Sequence, residues 1–590
     1  MKQFFKMMFA STLGVFVAVC IIIIIGSFVM IGMVASMSSQ PEFVPKQNTV
    51  FKLSLSGAVT EIADENPIYS LMGQSDKAIT LNALLKAIRS AKENDNIKGI
   101  YLDAGSFGVG SASVEAIYRE LKDFKESGKF LVAYADHYSL ASYYICSLAD
   151  KVFLNPKGGL MINGLGSQTI FVKGLSNKIG VETEIFRVGT YKGAVEMFML
   201  DKLSDENREQ IQTYVGGIWN NLVKGIAESR GVTPQQVNDF ADKGYSLAGA
   251  EKAVELSFID ELKYRPEAEE YIKELSGQSG DKLKTVGVDK MKNIKTKGSK
   301  RKNDKVAVLY AEGTIDMYKA PSPYSTSGSM ITEKMVDELI KLKNDEDVKA
   351  VVFRVNSGGG SAYVSEQIWR EVVELKKVKP IVVSMGDMAA SGGYYISCAA
   401  NKIVAEKNTL TGSIGIFGMF SNYTGLMKHL GVTADVVKTN TFTDLGNNMR
   451  PWTDNERAIV QAYIEEGYDL FITRCAEGRG MSKEDIDKIG QGRVWTGEDA
   501  KARGLVDELG GLDKAITIAA ELAELTDYDV TDISNSTDFF KDLLEKQIED
   551  IKVSIVKDML GDEYMKWQKI NHLKSQNGVM ALCPYEINSF

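Results

Sequence analysis

Histidine is nearly absent from this chain: His137, His429 and His572 are the only three in 590 residues. A triad built on serine, histidine and aspartate therefore has very few candidates. Cysteine is as thin. Cys20, Cys146, Cys398, Cys475 and Cys583 are scattered, with no CxxC and no Cys/His cluster, so nothing points to a metal or redox centre and no cofactor is expected. An excess of positive charge is missing too. The net charge is −9, which gives no electrostatic case for nucleic acid. What the chain does have is apolar mass. At 44% hydrophobic residues it can bury large cores, and its length corresponds to roughly four domain-sized units.

The first long apolar run extends from Leu13 to Val34, includes Ile21 to Ile25 and carries no charge. About 20 apolar residues span a bilayer as a helix, whereas the apolar part of a cleaved signal peptide is only about 7–15 residues long. The run predicts an uncleaved anchor. Lys2 and Lys6 precede it, which keeps residues 1–12 in the cytoplasm and puts the remainder on the far side of the inner membrane as a single-pass protein. Residues 35–47, with Pro41 and Pro45, read as a tether.

Two long segments follow and resemble each other. Ile97-Lys98-Gly99-Ile100-Tyr101-Leu102 parallels Val348-Lys349-Ala350-Val351-Val352-Phe353, and Tyr143-Tyr144-Ile145 parallels Tyr394-Tyr395-Ile396, both at an offset of 251 residues. Leu203-Ser204-Asp205 echoes Trp452-Thr453-Asp454 with a small shift. This is a tandem duplication rather than a short solenoid repeat. It predicts domains at 48–276 and 306–526, joined by a lysine- and glycine-rich linker at 277–305. A tail follows at 527–590, where Phe540, Leu543, Leu544, Ile548, Ile551, Ile555 and Met559 recur at helical spacing.

Each half alternates short apolar strands with helices. In the second half Val306–Ala311, Ala350–Val355, Ile381–Met385 and Lys402–Ala405 read as strands. Met330–Leu342, Ala362–Lys376 and Tyr394–Ala400 read as helices. The alternation predicts an α/β fold with layered, largely parallel sheets, in which ligands bind at loops beyond the strand C-termini. Two such loops are Asn356-Ser357-Gly358-Gly359-Gly360 and Gly386 to Gly393.

The second loop places Ser391 between a buried strand and a helix, beside Gly392 and Gly393. Serine there is a common helix N-cap, but the duplication argues for more. At the same offset the first half carries Leu140 for Ser391, and Phe107, Gly108 and Val109 for Gly358, Gly359 and Gly360. Conversely, Lys192, in Arg187-Val188-Gly189-Thr190-Tyr191-Lys192-Gly193-Ala194, corresponds to Thr443. Each half has a polar group that the other lacks.

The stretch Gly386-Asp387-Met388-Ala389-Ala390-Ser391-Gly392-Gly393-Tyr394, followed by Leu410-Thr411-Gly412-Ser413-Ile414-Gly415-Ile416, resembles the signal peptide peptidase A family. Gly189-Thr190-Tyr191-Lys192 with Glu196 resembles its lysine motif, and the likeness is to the long, duplicated, membrane-anchored form over residues 50 to 525. The resemblance implies tandem crotonase-like, Clp-protease-like domains. It also implies that Ser391 is the nucleophile, Lys192 the general base from the other half, and Ser413 a partner that orients the lysine. A homotetramer that admits unfolded chains, and remnant signal peptides as substrates near the membrane lipid, follow from the same likeness.

The chemistry can be argued beside it. A lysine acts as base only when neutral, so its ordinary pKa of about 10.4 must fall towards 7–8, a cost of roughly 4 kcal/mol that burial between domains can impose. The Gly392 N–H, with that of Gly358 or Gly359, would form the oxyanion hole. Two other readings fit the fold: a crotonase-type enzyme acting on acyl-CoA thioesters, and a membrane scaffold without catalysis.

Overall fold

The computed structural model describes residues 14, 43–62, 79–294, 304–317, 330–533 and 578–582. Among these, no helix is long and apolar enough to cross a membrane. The expected anchor at 13–34 lies, apart from Gly14, outside the described residues, as does the apolar pattern from Phe540 to Met559.

Each half is built on a parallel sheet. In the first, Ile97–Gly108 pairs with Thr49–Thr60 on one side and Phe130–Tyr138 on the other, and Lys151–Leu160 continues the order. In the second, Val348–Ser357 lies between Lys305–Glu312 and Ile381–Ala390. Residues such as Val351, Val352, Phe353, Val382 and Val383 have no exposed surface. Near-continuous apolar runs are what a sheet covered on both faces requires. The helix Ala362–Lys376 shows how the cover is made. Ser361 caps it by accepting from the Val364 N–H, and Val364, Ile368, Val372 and Leu375 fall on one buried face. Each such side chain stabilises the fold by about 1.5–3 kcal/mol.

A third sheet ties the halves together. Glu182–Val188 from the first half pairs antiparallel with Ile416–Asn422 from the second, in seven register pairs from Val188↔Ile416 to Glu182↔Asn422. Charge pairs cross the same boundary, among them Arg119–Glu406 at 2.6 Å and Arg457–Glu184 at 2.7 Å. Asp387 also reaches across. It accepts from the Ala112 and Ser113 N–H groups at 2.8 and 2.9 Å and so caps the helix Ser111–Lys125 of the other half. Burial pushes its carboxyl above the ordinary range, against the hydrogen bonds from Ser113.

Several expected boundaries shift. The strand at Ile381 runs on to Ala390, because the Met388 N–H donates to Asn356 Oδ1 and Thr409 Oγ donates to the Gly386 carbonyl. The helix after Ser391 is a single turn, Gly392–Tyr395, rather than Tyr394–Ala400. Met330–Ile331 is a short strand before a helix that begins at Lys334. Part of the stretch read as a linker is structured: Thr285–Val286 adds to the first sheet beside Val50–Phe51. The tail begins with a strand. Asp529–Ile533 pairs with Lys305–Leu309 and so extends the second sheet past residue 526.

Candidate active site

The strand Ile381–Ala390 ends at Ser391, whose backbone has φ 56° and ψ −116°. A non-glycine residue there costs of order 1–3 kcal/mol and persists only where surrounding structure fixes it. The Ser391 N–H donates to the Gly412 carbonyl at 2.8 Å, and the Ser391 carbonyl accepts from the Tyr395 N–H at 2.9 Å. Its side chain makes no helix-capping hydrogen bond. Two glycines let the turn close: a Cβ on Gly393 would lie 2.5 Å from the Ser357 carbonyl oxygen, and one on Gly392 would lie 2.8 Å from Ser365 Oγ.

Lys192 enters from the other half, on the loop after Glu182–Val188. Its Nζ lies 2.8 Å from Ser391 Oγ and 3.1 Å from both the carbonyl oxygen and the Oγ of Ser413. Lys192 is 1% exposed, and Ser391 and Ser413 are buried with it. Taking an ammonium out of water disfavours its charged form. These three contacts of the amine are all to serine oxygens.

Residues beyond the motif, Gly492, Gln491, Asn207 and Gln210, hold this lysine together with Glu196. Gly492, at φ +77°, packs so closely that a Cβ would come within 2.7 Å of the Lys192 backbone. The Tyr191 N–H donates to the Gln491 carbonyl at 2.8 Å. Behind the loop, buried Glu196 accepts from Asn207 Nδ2 at 2.6 Å and from the Ser204 N–H at 3.1 Å. Gln210 donates to the Tyr191 carbonyl at 2.8 Å and to Asn207, and accepts from the Val494 N–H at 3.0 Å. Glu196 was visible only as part of the lysine motif; Asn207 and Gln210 lie on the first turn and a half of a helix whose neighbouring polar residues, Asp205, Glu206, Arg208 and Glu209, are exposed.

The glycine loop faces the same point. The backbone of Gly359 and Gly360 approaches Gly392, since a Cβ there would lie 3.1 Å from Gly359 Cα and from Gly360 N. The Gly359 N–H donates to Ser357 Oγ at 3.1 Å. Gly358 sits at the break between the strands Val348–Ser357 and Gly359–Ser361. Between that second strand and Ile416–Asn422 runs Gly578–Leu582, antiparallel to both, with Leu582 opposite Gly359 and Met580 opposite Ser361 and Phe417.

The equivalent region of the first half is an open cavity of about 900 Å³ lined by Ser54, Asp103, Asp136, His137 and Leu140 among others. His137 therefore lies in the half without the serine. Among the described residues no His/Cys/Asp/Glu group has a metal-binding arrangement.

Comparison with known proteins matches Peptidase family S49 to residues 123–279 and 373–526, and Clp protease to residues 297–409. Protease 4 of Salmonella typhi is 38% identical over 467 residues, covering 77% of this chain and 74% of that protein. The chloroplastic serine protease SPPA of Arabidopsis thaliana is 32% identical over 486 residues, covering 81% and 70%. A putative signal peptide peptidase SppA of Enterococcus faecium is 35% identical over 209 residues, covering 33% and 61%. These matches favour the peptidase reading over the acyl-CoA and scaffold readings. The two S49 segments fall one in each half, and the buried contact between Ser391 and Lys192 joins them. With relatives above 30% identity along some three quarters of their length, this chain is a serine protease of peptidase family S49, in the tandemly duplicated form with a Clp-protease-like α/β fold.

Proposed function

We propose that Ser391 is the nucleophile and Lys192 the general base of an endopeptidase that cleaves remnant signal peptides and other apolar, unfolded peptides. The 2.8 Å approach of the lysine amine to the serine hydroxyl, inside a buried site, carries the reading. Ser391 Oγ attacks the peptide carbonyl carbon as its proton passes to neutral Lys192 Nζ. The tetrahedral oxyanion collapses, the C–N bond breaks, and the lysine returns the proton to the leaving amine. Water then attacks the acyl-enzyme with Lys192 again as base, releasing the acid and restoring the serine. Ser413 orients the amine through its 3.1 Å contacts.

The Gly392 N–H and one from Gly358 or Gly359 would receive the oxyanion, each donor contributing roughly 3–4 kcal/mol. Because the Gly359 N–H bonds to Ser357 Oγ, using it requires that bond to exchange for the substrate.

The presence of Gly578–Leu582 as an extended strand beside the glycine loop supports peptide binding by backbone pairing, the mode of strand addition. Buried Phe417 and Met419 lie on the strand that pairs with Gly578–Leu582, an apolar setting that would suit apolar substrates. One relative bears the name signal peptide peptidase. An anchor at 13–34 would hold domains 48–276 and 306–526 beside the bilayer, outside the cytoplasm, and four copies would assemble as a homotetramer.

The test is cleavage of a synthetic apolar signal-peptide sequence by the full-length enzyme in detergent, read by mass spectrometry. The reading expects internal cleavage that disappears in Ser391→Ala. Equal cleavage by that variant, or no cleavage of any apolar peptide by correctly folded wild type, contradicts it.

A further inference from the structure

One residue touches both the loop that carries Lys192 and the segment that carries Ser413, and it belongs to neither. Arg493 lies between Gly492 and the strand Val494–Thr496, which pairs antiparallel with Leu410–Gly412. Its carbonyl accepts from the Ser413 N–H at 2.7 Å. Gly412 packs against the same carbonyl, since a Cβ there would come 3.0 Å from the Arg493 oxygen. The carbonyl of Gly412 in turn accepts from the Ser391 N–H at 2.8 Å. The backbone of Arg493 thus fixes Ser413 directly and the Ser391 turn through Gly412.

The side chain reaches the other half. The guanidinium carbon lies 4.6 Å from the centre of the Tyr191 ring and 4.5 Å from that of Trp495. Nη2 donates to Glu209 Oε1 at 2.6 Å, and the Tyr191 hydroxyl donates to Glu209 Oε2 at 3.4 Å. Tyr191 and Glu209 belong to the first half, Trp495 to the second. A planar cation can lie against aromatic faces and still direct N–H groups at a carboxylate, which an ammonium on a flexible stem does poorly. Tyr191 immediately precedes Lys192, so whatever holds its ring also sets where the lysine side chain begins. Two more bonds fix the same residue: its N–H donates to the Gln491 carbonyl and its carbonyl accepts from Gln210, each at 2.8 Å.

The first half shows what the segment needs when no catalysis is at stake. Ile162 stands for Ser413 at the offset of 251. It is held by Ser246, whose Oγ accepts from the Ile162 N–H at 3.1 Å and donates to the Ile162 carbonyl at 3.3 Å. A hydroxyl is enough to hold that segment. The half with the nucleophile uses an arginine there, and its side chain goes on to the lysine loop of the other half. We propose that Arg493 is a positioning residue for the Ser391–Lys192 pair: it clamps Tyr191 against the second half and so keeps Lys192 Nζ buried and in register with Ser391 and Ser413. Its effect on rate rests on the reading of Lys192 as the base; its effect on the placement of the amine does not.

The test compares Arg493→Gln with wild type in the full-length enzyme in detergent, with circular dichroism as the control for folding. One readout is independent of catalysis: a short pulse of an N-hydroxysuccinimide ester, with acylation of Lys192 followed by peptide mapping. The clamp predicts labelling faster by about tenfold or more in Arg493→Gln, and at most partial protection in Arg493→Lys, which keeps the charge without the planar face. The second readout is kinetic. Arg493→Gln should lower kcat by about 10- to 100-fold with KM changed by less than about threefold. A lysine less shielded from water holds its proton to higher pH, so the rising limb of kcat/KM against pH should move up by about half a unit or more. Arg503→Gln removes the cation 3.7 Å from the other partner ring, Trp495, without touching Tyr191, and should change neither readout. Tyr191→Leu should behave like Arg493→Gln, and the double variant should be little worse than either single one. Full activity in Lys192→Met would remove the base reading and leave the labelling result to decide the clamp. Wild-type labelling of Lys192 in folded Arg493→Gln, additive losses in the double variant, or equal effects from Arg503→Gln would overturn the inference.

Discussion

The turns at Ser391 and Leu140 hold the same place in two copies of one fold, and their backbones differ. In the first half, Ser139 is a regular N-cap at φ −74° and ψ 166°, forms a capping box with Ser142 and starts a seven-residue helix. In the second, Ser391 sits at φ 56°, its side chain caps nothing, and the helix is four residues long. The fold therefore does not impose the strained turn: a copy of the same strand-to-helix junction adopts a relaxed one. Strain of about 1–3 kcal/mol is kept only where the serine meets a lysine. The ordinary cap is the role that a serine would have had at 391 if it were only structural.

The largest effects come from removing the contact that the first half lacks. Ser391→Ala should reduce peptide turnover by about 10⁴-fold or more, with the thermal midpoint little changed. Lys192→Met, which keeps the length of the side chain, should come close to it, because a serine without its base is a poor nucleophile. Supplying Leu140→Ser to the Ser391→Ala protein should restore nothing, since the second half carries Thr443 at the position that corresponds to Lys192; measurable turnover there would break the comparison. Next is the brace. Asn207→Ala leaves buried Glu196 short of a hydrogen bond, at a cost of about 1–3 kcal/mol, and should lower kcat more than it raises KM, as steady-state kinetics would show. A chain ending after Ile533 removes the strand beside the glycine loop and should raise kcat/KM for short peptides by about two- to tenfold, if the gain equals the release of a weakly held occupant.

The smallest effect is at Asp387, whose carboxyl burial pushes up. A folded-state pKa above the unfolded value makes this group cost stability as pH rises through the folded value. The stability of Asp387→Asn relative to wild type should thus improve as pH rises above the ordinary carboxyl range of about 4 in urea unfolding, and a constant difference would contradict the assigned direction.

Much of this was legible in the sequence because the chain carries its own comparison. Ser391 opposite Leu140 and Lys192 opposite Thr443 drew attention before any geometry was known, and strands such as Lys402–Ala405 and the helix Ala362–Lys376 fall where apolar periodicity put them. What escaped has a common physical cause. Gly492 and Gln210 act on the Lys192 loop through contacts between residues that are remote in sequence, and no local period encodes a contact of that kind. Thr285–Val286 is too short and too polar in its setting to read as a strand; only its neighbour Val50–Phe51 makes it one. The strand through Gly386 looked like a turn because a glycine beside an aspartate usually is one, whereas here Asn356 and Asp387 spend their polar groups on backbone amides.

The central claim is that one half supplies the nucleophile and the other its base. The most direct measurement is the rate at which a fluorophosphonate probe acylates the full-length enzyme, with the adduct located by peptide mapping, in wild type and in folded Lys192→Met. The account predicts a single adduct on Ser391 whose formation slows by at least about a hundredfold without the lysine amine. An adduct elsewhere, or one on Ser391 formed at the wild-type rate in Lys192→Met, would contradict it.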